Sequence, residues 1–108
     1  MVYLAIMRQL LDDVRPQIEN LCKTFQVKRL ELFGSAARGD FDPEQSDYDF
    51  FVDFEDLGWR GSFRRYMGLK LALEDLLGRP VDLVDLKAVS NPLFIDIATK
   101  HRQLLYAA

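Results

Sequence analysis

Two aspartates one residue apart, Asp47 and Asp49, open a run in which Tyr48, Phe50, Val52 and Phe54 alternate with Asp47, Asp49, Phe51 and Asp53. Period-two alternation predicts a strand, with the first set on one face and the carboxylates on the other. Between Asp40 and Asp56 the chain places eight of its 17 acidic residues and neither Lys nor Arg. Water can relieve such repulsion at a surface. On so apolar a strand, two close and partly buried carboxylates instead share a proton or bind a cation. Oxygen donors without a neighbouring His suit a hard ion such as magnesium.

A further acid, Asp82, stands between Val81 and Leu83 in a run to Leu86 that reads as another strand. A charge within an apolar strand needs a partner. Laid beside the first strand, Asp82 would join Asp47 and Asp49, and three carboxylates could hold two metal ions roughly 3.5–4 Å apart. That is the donor set of phosphoryl or nucleotidyl transfer. Asp85 is its rival, but the two side chains leave opposite faces of a strand, so only one can join the site.

Gly34 and Ser35 follow the apolar run Val27 to Phe33, itself a predicted strand. Glycine lets backbone donors approach an anion, serine adds a hydroxyl, and a helical turn after Ser35 would point its N-terminus at phosphate. The loop would grip a triphosphate tail. It is not a P-loop, since the Gly-x-x-x-x-Gly-Lys spacing is absent.

The elements that must position these residues are legible in the spacing. Leu4, Met7, Leu11, Val14, Ile18, Leu21 and Phe25 recur at helical intervals. Pro16 interrupts them and predicts either a kink or two shorter helices. Ser62 is placed to cap a helix to Leu77 carrying a Phe63, Tyr66, Leu69, Leu73, Leu76 stripe, with Gly78 as its stop. Gly68 within it predicts a close approach to the sheet. Asn91-Pro92 starts a last helix to about His101, and Leu104 to Tyr106 adds an edge strand. The order predicts an α/β (α+β) fold, a small mixed sheet of three to four strands flanked by helices.

Composition narrows the function. With 49% hydrophobic and 29% charged residues the 108-residue chain is expected to form a single domain, 1–108. A net charge of -3 disfavours polynucleotide binding. The single Cys22 cannot make an internal disulfide and is expected to be buried and inert. The N-terminal stretch resembles neither a signal peptide nor a membrane span, so the cytoplasm is the expected location. Trp59 is expected in the core, Arg60, Arg64 and Arg65 on a solvated face, and Asp40, Asp42, Asp53, Glu55 and Asp56 as surface charges or caps.

Taken in order, Gly-Ser-Ala-Ala-Arg-Gly (34 to 39), Ser-Asp-Tyr-Asp (46 to 49) and Val-Asp-Leu-Val (81 to 84) resemble the minimal nucleotidyltransferase (MNT) family. The likeness covers about Val27 to Leu86. It implies a polymerase-beta-like nucleotidyltransferase palm, with Asp47, Asp49 and Asp82 as catalytic metal ligands for two magnesium or manganese ions. Asp82 is chosen over Asp85 by its place in Val-Asp-Leu-Val. The resemblance further implies that Gly34, Ser35 and Arg38 contact the nucleotide, ATP. Many such proteins are antitoxins that adenylylate a tyrosine of a HEPN-domain toxin, with which a hetero-oligomer is expected. A non-catalytic binding antitoxin and a stand-alone transferase for a small-molecule hydroxyl are the alternatives.

Overall fold

The structure, a computed structural model, describes residues 2–34, 37, 47–88 and 102–108, with side chains from residue 11 onward. The helical turn after Ser35, Arg38, Asp40, Asp42 and the helix from Asn91 to His101 lie outside the described residues, as do the Leu4 and Met7 side chains.

Helix α1 (Val2–Thr24) leads into β1 (Val27–Phe33), followed by β2 (Tyr48–Phe54), α2 (Ser62–Leu77), β3 (Val81–Asp85) and β4 (Gln103–Ala107). The strands form one mixed sheet in the order β3-β2-β1-β4. The β1/β2 and β1/β4 pairs are antiparallel, and β2/β3 is parallel. β4 is the edge strand expected around Leu104 to Tyr106, longer by a residue at each end.

Both helices cover one face of this sheet. Leu11, Ile18 and Cys22 from α1 and Leu69, Leu73 and Leu77 from α2 pack with Leu30, Leu32, Tyr48, Phe50, Val52, Phe54, Val81 and Leu83. Each such side chain removed from water contributes about 1.5–3 kcal/mol, which makes this face the main source of stability. Cys22 is fully buried there, and burial, reinforced by Glu19, pushes its thiol up to about 12. The pleat directs Glu31, Phe33, Asp49, Phe51 and Asp82 to the other face.

Three local expectations are corrected. α1 is one helix through Pro16, not two. Proline removes a donor one turn back, but Asp12 and Pro16 are both exposed, so water can reach the freed Asp12 carbonyl. Ser62 is the first helical residue of α2, and Gly61, at φ 74°, holds the cap position without a side-chain hydrogen bond. Gly68 does approach something closely, but it is the Phe25 ring and not the sheet: a Cβ there would lie 3.0 Å from Phe25 Cζ. Gly78 ends α2 as expected, in a left-handed conformation, its N–H donating to the Glu74 carbonyl at 2.8 Å.

Candidate active site

The helix-free face of β2 and β3 brings two acids together. In the parallel register Asp49 is the direct partner of Asp82. Residues so paired point to the same face, and neighbouring strands lie about 4.8 Å apart. Asp85 pairs with Val52 and lies by parity on the helix side, lining a cleft with Ser62, Phe63 and Tyr66. It is Asp82 that shares a face with Asp49.

This register is fixed from both sides. Tyr48 N–H donates to the Pro80 carbonyl at 3.1 Å, locking the start of β2 to the start of β3. On the outer edge of β3, Glu74 accepts the Val81 N–H at 3.0 Å and the Tyr66 hydroxyl donates to the Leu83 carbonyl at 2.6 Å. The residues on either side of Asp82 are therefore anchored to α2, and an edge strand that would otherwise offer open backbone groups is capped. Lys70 closes the arrangement by donating to Glu74 at 2.9 Å. The Val81 hydrogen bond, then the Lys70 bond, hold the Glu74 carboxyl below its usual 4.5. The Glu74 bond raises Lys70, with a smaller contribution from Asp82 itself. Tyr66, Lys70 and Glu74 are positioning residues that sequence reasoning missed. Only the one-turn spacing of Lys70 and Glu74 was visible beforehand.

On its other side Asp49 faces β1, where Phe33 is its antiparallel partner. Gly34, next in the chain, takes φ 72° and packs directly on the Asp49 carboxylate. A Cβ there would lie 3.0 Å from Asp49 Cγ and closer still to Oδ2. Glycine is thus required twice, by its backbone conformation and by contact. Below these residues Phe33 and Phe51 stack with centroids 4.0 Å apart, and they are almost wholly buried. Farther along the same face the 3% exposed Glu31 receives Arg29 at 2.6 Å and Arg102 at 3.1 Å.

Asp47 stands just before β2 and is exposed. Among the described residues no three acidic, His or Cys side chains converge closely enough to chelate an ion. The site is therefore a facing pair, Asp49 and Asp82, with Asp47 beside it in sequence. The facing carboxylates supply only oxygen, on a glycine cradle with no room for a side chain, and this donor set fits a hard divalent cation. Ser35 and Arg38 lie outside the described residues. Asp53, placed too far along β2 to share an ion, pairs with Lys87 at 3.6 Å. Trp59, expected in the core, is 81% exposed. No helix among the described residues is long and apolar enough to cross a membrane.

Comparison with known proteins agrees with this geometry. A family model described as a nucleotidyltransferase domain matches residues 14–105. A protein of Methanocaldococcus jannaschii, provisionally named a protein adenylyltransferase, is 43% identical over 68 residues, covering 63% of this chain and 66% of that protein. The aligned part thus spans just under two thirds of that relative. A solved structure provisionally assigned to a minimal nucleotidyltransferase superposes with a TM-score of 0.73 at 33% identity, over 88% of this chain and 92% of that one. A toxin-antitoxin structure with AMP-PNP gives a TM-score of 0.67 at 25% identity, over 87% and 73%.

Proposed function

The chain belongs to the nucleotidyltransferase domain family, and on that premise we propose that it is a metal-dependent protein adenylyltransferase. It transfers AMP from ATP to a tyrosine hydroxyl of a HEPN-domain toxin and acts as that toxin's antitoxin. The observation that carries this reading is the pairing of Asp49 with Asp82 on one face, beside a glycine turn made to approach an anion. The similarity to a named adenylyltransferase, and to a toxin-antitoxin pair holding an ATP analogue, supports the donor and the partner. The exposed Asp47 and the 108-residue span, read as one domain, are consistent with an acceptor that arrives on a partner's surface.

In this reading Asp47, Asp49 and Asp82 hold divalent ions, with magnesium or manganese suited to their oxygens. Bound there, the ions would supply positive charge against the triphosphate and the leaving pyrophosphate. The Gly34 backbone, with Ser35 and Arg38, holds the β- and γ-phosphates and leaves the α-phosphorus facing the acceptor. Asp82, on the edge strand, takes the proton from the tyrosine hydroxyl as its oxygen bonds to the α-phosphorus. The bond from that phosphorus to the bridging oxygen breaks and pyrophosphate departs.

Co-expression with a HEPN-domain partner, followed by intact-mass measurement of that partner, tests the reading. Whole AMP increments on a tyrosine are expected with the natural chain and none with Asp49→Ala or Asp82→Ala of unchanged circular dichroism. Full neutralisation of the partner by a folded Asp49→Ala chain would show that catalysis is dispensable.

A further inference from the structure

Trp59, the chain's single tryptophan, is 81% exposed, Phe63 is 75% exposed and Leu57 is 47% exposed. Three large apolar side chains within one short segment form a patch that a folded protein normally covers. The backbone beneath them is braced. Gly58 and Gly61 take φ 75° and 74°, and the Arg65 guanidinium donates to the Gly58 carbonyl at 3.3 Å and the Arg60 carbonyl at 3.1 Å. Ser62 N–H donates to the Trp59 carbonyl at 3.1 Å. A turn held this way presents its aromatic side chain outward and has little freedom left to lose on binding.

The surroundings define the ligand. Phe63 borders an open cleft of about 400 Å³, shared with Ser62, Tyr66, Leu83, Asp85 and Ala88. Leu57 to Tyr66 contains three arginines and no acid, in a chain of net charge -3. Arg60 and Arg64 are exposed, and the Arg60 guanidinium lies 5.9 Å from the Trp59 ring centroid. The patch is apolar with a basic rim, and it suits an apolar socket fringed by carboxylates on a folded protein. Glu55 and Asp56, both exposed at its border, oppose a polyanion such as RNA. In the chain the segment follows the C-terminal end of β2, whereas Asp49 and Asp82 stand near the N-terminal ends of β2 and β3. A partner seated on it leaves the carboxylates open.

We infer that the Leu57–Phe63 surface is the docking site through which the chain holds its protein acceptor. The inference rests on the proposed protein acceptor and adds where that protein binds. Trp59 reports its own occupancy, because no other tryptophan contributes to the chain's emission. An Asp49→Ala chain titrated with a tryptophan-free HEPN-domain partner, without ATP, should shift its emission to the blue and saturate. Phe63→Ala and the Arg60→Glu, Arg64→Glu pair should each weaken that binding by about tenfold or more. Trp59→Ala should raise the KM for the partner by a similar factor, with kcat at saturation held and the melting temperature unchanged. Oligouridylate should leave the emission where it is.

An unmoved emission while calorimetry records partner binding would overturn the inference, as would a blue shift with RNA or one that grows with chain concentration alone. Absence of any binding would overturn it too. AMP transfer indifferent to Trp59 and Phe63 would remove the docking site and leave the transfer standing. Docking through Trp59 without AMP on the partner would do the reverse.

Discussion

Asp49 and Asp82 face each other across the parallel β2/β3 pair, on the side of the sheet that carries neither α1 nor α2. Like charges in that relationship repel, and a divalent cation is the natural relief. Neutralising either one should therefore do two opposite things. Asp49→Asn or Asp82→Asn should stabilise the metal-free chain by up to ~1 kcal/mol, the scale of a directly opposed cross-strand pair. The same changes should abolish the rise in melting temperature that millimolar magnesium gives the natural chain. Thermal melts with and without magnesium check both halves.

Gly34 and Gly78 share a left-handed backbone, at φ 72° and 69°, but a Cβ on Gly34 meets Asp49 and one on Gly78 meets nothing within 4 Å. Both Gly→Ala changes should cost about 1–2 kcal/mol from the backbone. Only Gly34→Ala should displace the Asp49 carboxylate, lowering transfer by about 100-fold or more, since positioning errors near 1 Å have that effect. Denaturant titration beside an activity assay separates the two.

Glu31 is a buried carboxylate held by Arg29 and Arg102, whose own side chains are 47% and 43% exposed. Arg102→Ala leaves one Glu31 oxygen in the interior without that partner and should cost about 1–3 kcal/mol. Glu31→Ala leaves two arginines that water can reach, so the lost charge is not stranded. Arg102→Met should recover packing but not the hydrogen bond. Urea unfolding midpoints at one pH rank the three.

Glu74 joins the site to the pH axis. Its carboxyl is depressed below 4.5 because it accepts the Val81 N–H and the Lys70 ammonium. A depressed carboxyl stabilises the fold above its unfolded value, and that contribution fades as pH falls through the folded value. Stability should therefore decline on acidification below about pH 4.5 with a component missing from Glu74→Gln. Lys70, raised above 10.5 by the same contact, contributes below that value and loses it as pH climbs past the folded one. Unfolding free energy between pH 3 and 7 in both proteins, on the order of one measurement per half unit, reads the acid limb.

Much of this protein was legible from the chain alone. The alternation around Asp49 set both the strand and the separation of acids from aromatics, because strand period is a local property. The bounds of β1 and α2 followed from apolar spacing and from Gly78, whose turn chemistry is also local. Gly34 was readable as a close-approach glycine, though not as one resting on Asp49. What no local signal carried was register. Asp82 faces Asp49 because Tyr48 is tied to Pro80 and because Glu74 and Tyr66 seize the edge of β3, contacts between residues far apart in sequence. The same holds for Trp59: hydrophobicity assigned it to the core, and a turn pinned by Arg65 turned it to solvent. Composition and period decided which residues are apolar and which carry charge, and only the packing of α2 against β3 decided which of them meet.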